Sequence, residues 1–194
     1  MLKVGITGGI GSGKSLVCKI ISSLGYPVYH ADAEAKKLTK SHPQIISAMK
    51  KLFGEDIYID GELNRKRVGE LVFNDSPLLQ KLNGIIHPVV AQDFCNWVSN
   101  NSQSRLVFKE AAILFESGAY KQVDTIVAVW APKDLRISRV CKRDGVSFEE
   151  VLKRINNQME DEELISRSNY VIRNYQDELL TPQVVSLIDT LLEI

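Results

Sequence analysis

Apolar positions along the chain follow two rhythms. Short, nearly unbroken apolar runs at 2–7, 28–30, 104–108, 124–130 and 170–172 predict five buried strands. Between them the apolar residues return every three or four positions. Leu16, Val17, Ile20, Ile21 and Leu24 do so after the first strand, and Leu180, Val184, Leu187, Ile188 and Leu191 after the last. Strands that alternate with amphipathic helices predict a parallel sheet with helices on both faces, a three-layer α/β/α core.

Two stretches interrupt that alternation. Residues 43–100 contain little that reads as strand. Pro43 opens a helix through about Phe53, and turns follow at Gly54-Glu55-Asp56 and Asp60-Gly61. Asn64 is placed to cap a helix from Arg65 to Phe73. A longer helix, opened at Asp75-Ser76-Pro77, runs to about Val98 with Leu78, Leu82, Ile85, Ile86, Val89, Val90, Phe94 and Trp97 as its apolar set. Pro88 inside it should kink the helix or split it after His87. The second interruption spans 133–167. Pro132 opens one helix there, and the capping box of Ser147 and Glu150 opens another. The polar stretch from Gln158 to Glu163 suits a mobile tip. The last helix is predicted to be capped by Thr181, with Pro182 at its first position. The resulting outline is one domain: a core of about 1–42, 101–132 and 168–194, a helical insertion at about 43–100, placed either to cover an active site or to hold a second substrate, and a helical lid at about 133–167.

The chemistry begins where the first strand meets the first helix. Gly8-Gly9-Ile10-Gly11-Ser12-Gly13-Lys14-Ser15 fits G-x-x-x-x-G-K-[ST], the phosphate-binding loop, and it lies between a buried strand and an amphipathic helix as that motif requires. Gly8, Gly9, Gly11 and Gly13, with the small Ser12, let the backbone bend so that successive amides point inward as an anion nest. Lys14 can reach the β- and γ-phosphates, and the Ser15 hydroxyl can ligate Mg²⁺. The loop implies binding of a nucleoside triphosphate without fixing the fate of its γ-phosphate.

Other candidate groups gain meaning from that loop. Asp32 follows the second strand, at the carboxyl edge where ligands of parallel sheets collect. It reads equally as a group that orients or deprotonates a nucleophile and as a helix N-cap. Arg136, Arg139 and Arg143 share one helix face, and no acid lies three or four residues from Arg139 to pair with it. Alone such a stripe is a solvated face; beside a phosphate loop it reads as forked donors for a triphosphate. His87, next to a proline in a helix, is by local sequence more often a packed residue than a ligand, and no partner stands at zinc-ligand spacing.

Composition narrows the field. The chain has 194 residues, enough for one α/β core with small insertions. Its 24 basic and 24 acidic side chains cancel, which gives no bulk drive toward nucleic acid. Cys18, Cys95 and Cys141 form no C-x-x-C pair and read as reduced, buried thiols of a cytosolic protein. No apolar run approaches a membrane span of about 18 residues. A strand begins almost at once, so no secretory leader is expected. The guanine-reading tetrapeptide Asn-Lys-x-Asp is missing, which argues against a signalling GTPase. The predicted third strand stops at Phe108 and is followed by Lys109-Glu110, a poor match to the paired acids of an ATPase motor. A small-molecule kinase needs a phosphate loop, a strand-end carboxylate, an acceptor-binding part and an arginine lid, and each has a candidate.

The ordered motifs also resemble a family, over nearly the whole chain. They are Thr7 to Ser15, Ala31-Asp32, Asp60-Gly61-Glu62-Leu63-Asn64-Arg65, Ile85-Ile86-His87-Pro88, Leu114-Phe115-Glu116, Arg139-x-x-x-Arg143-Asp144, Gln158 and Val171-Ile172-Arg173-Asn174. The set is similar to that of the dephospho-coenzyme A kinases. The resemblance implies a P-loop NTPase fold and ATP-dependent phosphorylation of the 3′-hydroxyl of dephospho-CoA, the last step of coenzyme A synthesis. It implies Asp32 as the base, Arg139 and Arg143 as lid groups on the phosphates, and Asn174 near adenine. Arg65, His87 and Glu116 would line the acceptor side. Expected partners are ATP, Mg²⁺ and dephospho-CoA, with no nucleic acid or membrane, in a monomer or small homo-oligomer. Two departures stand out: Ala112-Ile113-Leu114 where the family often has Pro-Leu-Leu, and Arg136 where it often has Gln.

Overall fold

The computed structural model describes residues 1–73, 75–175 and 178–194. Their contacts divide the chain into two compact units, one of residues 1–30 with 98–194 and one of residues 31–97. The second unit therefore begins at Ala31, ahead of the Pro43 start expected for the insertion.

In the first unit, strands β1 (Leu2–Thr7) and β2 (Val28–His30) flank helix α1 (Lys14–Ser23). In the second, α2 (Ala31–Ser41), α3 (Pro43–Phe53), β3 (Tyr58–Ile59), β4 (Glu62–Leu63) and α4 (Arg65–Val72) precede α5 (Ser76–Asn100), whose last residues return to the first unit. There the chain adds β5 (Leu106–Glu110), β6 (Thr125–Trp130), α6 (Lys133–Asp144), α7 (Phe148–Asn156), α8 (Asp161–Ser166), β7 (Tyr170–Arg173) and α9 (Leu180–Leu192). The predicted five-stranded sheet is present, in the order β2-β5-β1-β6-β7, with every pairing parallel.

The core of the first unit lies between that sheet and the helices on it. Val4, Ile6, Leu106, Phe108, Val127, Val129 and Ile172 meet Val17, Cys18 and Ile21 of α1 and Val184, Leu187, Ile188 and Leu191 of α9. In the second unit Ile45, Met49, Ile57, Val68 and Leu82 form a separate apolar cluster.

Several local expectations need correction. β5 runs past Phe108 to Glu110, because Lys109 and Glu110 are buried with partners rather than solvated. Lys109 donates to Gln122 and lies over the Tyr29 ring, and Glu110 faces His30 Nδ1 at 3.2 Å. The Asp60-Gly61 turn closes a two-stranded hairpin, β3 and β4, too short to register as strand in the sequence. Helix α5 is continuous through Pro88, so the split after His87 does not occur. The last helix starts at Leu180 with Leu179 at the N-cap position, so Thr181 is not its cap. Pro182 still falls in the first turn, where a missing N–H breaks no helical bond. Asp32 lies in the first turn of α2, which already begins at Ala31, so it is not an N-cap before the helix.

Candidate active site

The loop between β1 and α1 is shaped by its glycines. Gly8, Gly11 and Gly13 have φ of 148°, 78° and 101°, values that L side chains rarely adopt. Space is as restrictive as angle. A Cβ on Gly8 would meet the Val129 carbonyl oxygen at 2.2 Å, and one on Gly13 would meet Asn174 Nδ2 at 2.0 Å. A Cβ on Gly9 would meet Arg136 Nη1 at 1.8 Å. The loop is thus pressed against the end of β6, against α6 and against the turn after β7.

Lys14 and Ser15 open α1, where first-turn amides and the positive end of the helix dipole are suited to an anion. Lys14 is 8% exposed and its ammonium donates to the carbonyls of Gly8 (2.7 Å) and Gly9 (3.2 Å). The Ser15 side chain is exposed. Two hydroxyl oxygens of this region, Thr7 Oγ1 and Ser12 Oγ, are buried with no hydrogen-bond partner. Unmet buried hydroxyls disfavour a site left dry, and they are suited to a polar ligand in the loop.

The arginine stripe separates into three environments. Arg139 is half-buried and reaches the loop, donating to the Gly11 carbonyl (3.4 Å) and to the Asn174 carbonyl (3.2 Å) and Oδ1 (3.4 Å). Asn174 in turn donates through Nδ2 to the Ser12 carbonyl at 2.7 Å. Arg136 is buried and paired with Asp161 at 2.7 Å. Arg143 is exposed and grips Asp144 through two hydrogen bonds of 2.7 and 3.0 Å, and Arg154 joins the same carboxylate at 3.1 Å. The Arg143 hydrogen bond is the main reason the Asp144 carboxyl is held below its usual range.

The segment after α7 is tied down at two adjacent residues, Gln158 and Met159, rather than hanging as a polar tip. The Ile10 N–H donates to Gln158 Oε1 at 2.8 Å, and the Met159 N–H donates to Glu116 Oε1 at 3.0 Å. Near the same segment the Arg167 guanidinium lies 4.4 Å from the Phe115 ring centroid. Sequence reasoning had placed Glu116 on the acceptor side and given Gln158 no role. It also passed over Glu110, which ends β5 in register with Ile6, next to the start of the loop. Burial and long-range pairing, which periodicity does not report, mark these residues.

Asp32, Arg65 and His87 belong to the second unit. The Asp32 side chain is exposed on the first turn of α2, directly after the carboxyl end of β2. The exposed Arg65 donates to the Lys36 carbonyl at 3.2 Å, and the half-buried His87 sits within α5. A cavity of about 300 Å³ in this unit is walled by Met49, Val68, Val72, Leu82 and Ile86, with Lys36 and Arg65 among its polar lining. Among the described residues no group of three or more His, Cys, Asp or Glu side chains could hold a metal ion, and no helix is long and apolar enough to cross a membrane.

A glycine-lined loop with its lysine and serine, joining the central strand of a parallel sheet to a helix, defines a P-loop nucleoside-triphosphate-binding fold. The model of the dephospho-CoA kinase family matches residues 2–178, and the chain belongs to that family, transferases whose reaction completes coenzyme A synthesis. A dephospho-CoA kinase from Bacteroides fragilis is 42% identical over 187 residues, covering 96% of this chain and 91% of that protein. The crystal structure of TT1252 from Thermus thermophilus superposes with a TM-score of 0.87 at 34% identity, over 97% of this chain and 96% of that one. Dephospho-CoA kinase from Campylobacter jejuni gives a TM-score of 0.72 at 25% identity, over 98% and 97% of the two chains.

Proposed function

We propose that this chain transfers the γ-phosphoryl group of ATP to the 3′-hydroxyl of dephospho-CoA, with Asp32 as the general base. The observation that carries the reading is the loop: its positive-φ glycines, its inward Lys14 and its unmet buried hydroxyls suit a triphosphate. Lys14 would turn from the Gly8 and Gly9 carbonyls to the β- and γ-phosphates. Arg139 and Arg143 act as lid groups that stabilise charge on the transferring group, Arg139 from its place beside Gly11. Asn174, held by Ser12 and Arg139, borders the adenine side of the loop.

Mg²⁺ fits what the loop offers. The loop contributes one exposed hydroxyl, Ser15, and the described residues offer no cage of three or more ligating side chains, which suits an ion that keeps its waters and binds mainly through substrate phosphates. When bound, the ion neutralises charge on the β- and γ-oxygens. Ser15 would hold it, and Lys14 would cover the remaining charge.

The acceptor is long: an adenosine, a diphosphate and a pantetheine arm. Arg65 and His87 line the acceptor side, and Arg65 brings a guanidinium to the edge of the apolar cavity of the second unit. Glu116, whose Oε1 accepts from the Met159 amide, also serves the acceptor side. Asp32 orients the 3′-oxygen and takes its proton. The test offers ATP, Mg²⁺ and either dephospho-CoA or adenosine to the wild type and to Asp32→Asn, following the product by mass. Asp32→Asn should fold, bind ATP and lose roughly 10²- to 10⁴-fold in transfer. Truncated acceptors should lose kcat as well as affinity, because remote contacts position the reacting hydroxyl. Equal efficiency on adenosine would sink the substrate assignment, and full activity in the variant would remove Asp32 from the chemistry.

A further inference from the structure

Arg136 carries a cost that packing does not explain. Its guanidinium is 3% exposed, yet its Nε is buried with no partner. An apolar side chain would fill the same space without an unmet donor or a buried charge. What the arginine has instead is a position between two moving parts of the proposed machinery. One side lies on Gly9, where a Cβ would fall 1.8 Å from Nη1. The Arg136 carbonyl lies on Gly11, where a Cβ would meet it at 2.6 Å. The far side pairs with Asp161, the first residue of α8, at 2.7 Å.

The same short segment is fixed twice more, by Gln158 on the Ile10 amide and by Glu116 on the Met159 amide. Residues 158–161 are thus joined to loop residues 9 and 10 by one neutral hydrogen bond and one buried charge. The Gly9 carbonyl accepts from Lys14 Nζ at 3.2 Å and from the Ser12 amide at 3.1 Å. One peptide therefore stands between two cations, one belonging to the loop and one whose counter-ion belongs to α8.

We propose that Arg136 is a positioning residue for phosphoryl transfer: through Asp161 it ties the nucleotide loop to the 158–167 segment, so that a triphosphate in the loop orders that segment. The inference rests on the reading of the loop as the ATP site. Moving Lys14 from the Gly8 and Gly9 carbonyls to phosphate removes a cation from one side of the Gly9 peptide. Arg136 holds the other side and is too enclosed to take up water in compensation. The change is passed to its one anionic neighbour among the described residues, Asp161.

Hydrogen exchange on the full chain tests this, with and without a non-hydrolysable ATP analogue and Mg²⁺. In the wild type the analogue should slow exchange in both 8–15 and 158–167. In Arg136→Met and in Asp161→Asn it should still bind, with Kd within about 3-fold, and still protect 8–15, but 158–167 should gain no protection. With both substrates saturating, kcat should fall by roughly 10-fold, with little change in the KM for ATP. Asp161 is partly exposed, so Asp161→Asn carries the test if Arg136→Met does not fold. Ligand-induced protection of 158–167 in the folded variants would overturn the coupling. So would a Kd weakened by roughly 10-fold or more with normal kcat, which would make Arg136 a phosphate ligand instead. Failure of the wild type to bind the analogue would overturn the ATP reading itself, a separate result.

Discussion

Gly13→Ala isolates how the nucleotide loop is held. Gly13 has φ 101°, and an added Cβ would fall 2.0 Å from Asn174 Nδ2. Two costs follow. The backbone is forced into a left-handed conformation that costs a residue with Cβ about 1–2 kcal/mol. The Asn174 side chain must also withdraw, losing its 2.7 Å bond to the Ser12 carbonyl, a net contribution of about 0.5–1.5 kcal/mol. The sum is about 1.5–3.5 kcal/mol, or a fall in Tm of about 3–14 °C for a chain of this size. Gly25→Ala is the control. Gly25 has φ 89°, and nothing lies within 4 Å of where its Cβ would stand, so it carries the backbone cost alone. Thermal unfolding of the two variants, and of Gly13→Ala combined with Asn174→Ala, separates the terms. Measured against Asn174→Ala alone, Gly13→Ala in the double variant should cost only the backbone part, close to the cost of Gly25→Ala. ATP affinity should fall in Gly13→Ala and stay normal in Gly25→Ala. Equal Tm losses in the two single variants would refute the role given to Asn174, and a Gly13→Ala protein of normal stability would refute the geometry of the loop.

Lys14→Ala should keep its fold and lose roughly 10²-fold or more in kcat, as a preorganised charge donor does, and steady-state kinetics with ATP checks it. Arg139→Ala and Arg143→Ala should lower kcat and kcat/KM together, whereas a rise in acceptor KM alone would move them to the acceptor site. Cys18 is buried beneath the loop, and desolvation first, then the Glu110 carboxylate, pushes its thiol up from 9.0 to about 12. In the folded protein it therefore keeps its proton between pH 9 and 12 while the unfolded thiol gives it up. The unfolded state binds fewer protons in that window, so stability falls as pH rises, by at most about 1.4 kcal/mol per pH unit from this group. Urea midpoints of the wild type and Cys18→Ala across pH 8–11 should converge as pH rises, and a constant gap between them would contradict the shift. With a thiol reagent at pH 8, the exposed Cys95 should react and Cys18 should not.

The phosphate loop and the five parallel strands were legible because both are local statements, one of spacing and one of apolar run length. The failures share a cause in non-local contacts. Lys109 and Glu110 look like the end of a strand until Gln122, Tyr29 and His30 give them partners. Pro88 argued for a break, yet α5 continues through it. The spacing of Arg136, Arg139 and Arg143 put them on one helix, but what each does depends on Asp161, Asn174 and Asp144. Two of those partners lie far along the chain, and the third is the adjacent residue, which helical periodicity does not pair. Gln158 and Glu116 stand out in the sequence only as parts of a resemblance; their bonds to Ile10 and Met159 give them a place.

The strand order also dictates a sequence of assembly. Among the described residues β1 bonds to β5 and β6 and β2 bonds to β5, so no two strands of the five-stranded sheet within the first 100 residues pair with each other. Residues 31–97, by contrast, are continuous and hold their own apolar cluster. A chain emerging from the ribosome can therefore condense the helical unit early, while the loop-bearing strand waits without neighbours until residue 110 is free. We expect pulse-labelled refolding to protect amides of α3 and α5 before those of β1, and simultaneous protection would contradict it. Nucleotide can then act as a folding ligand only late, because the nest it needs is not built until β5 has slid between β1 and β2 and β6 has closed the other side.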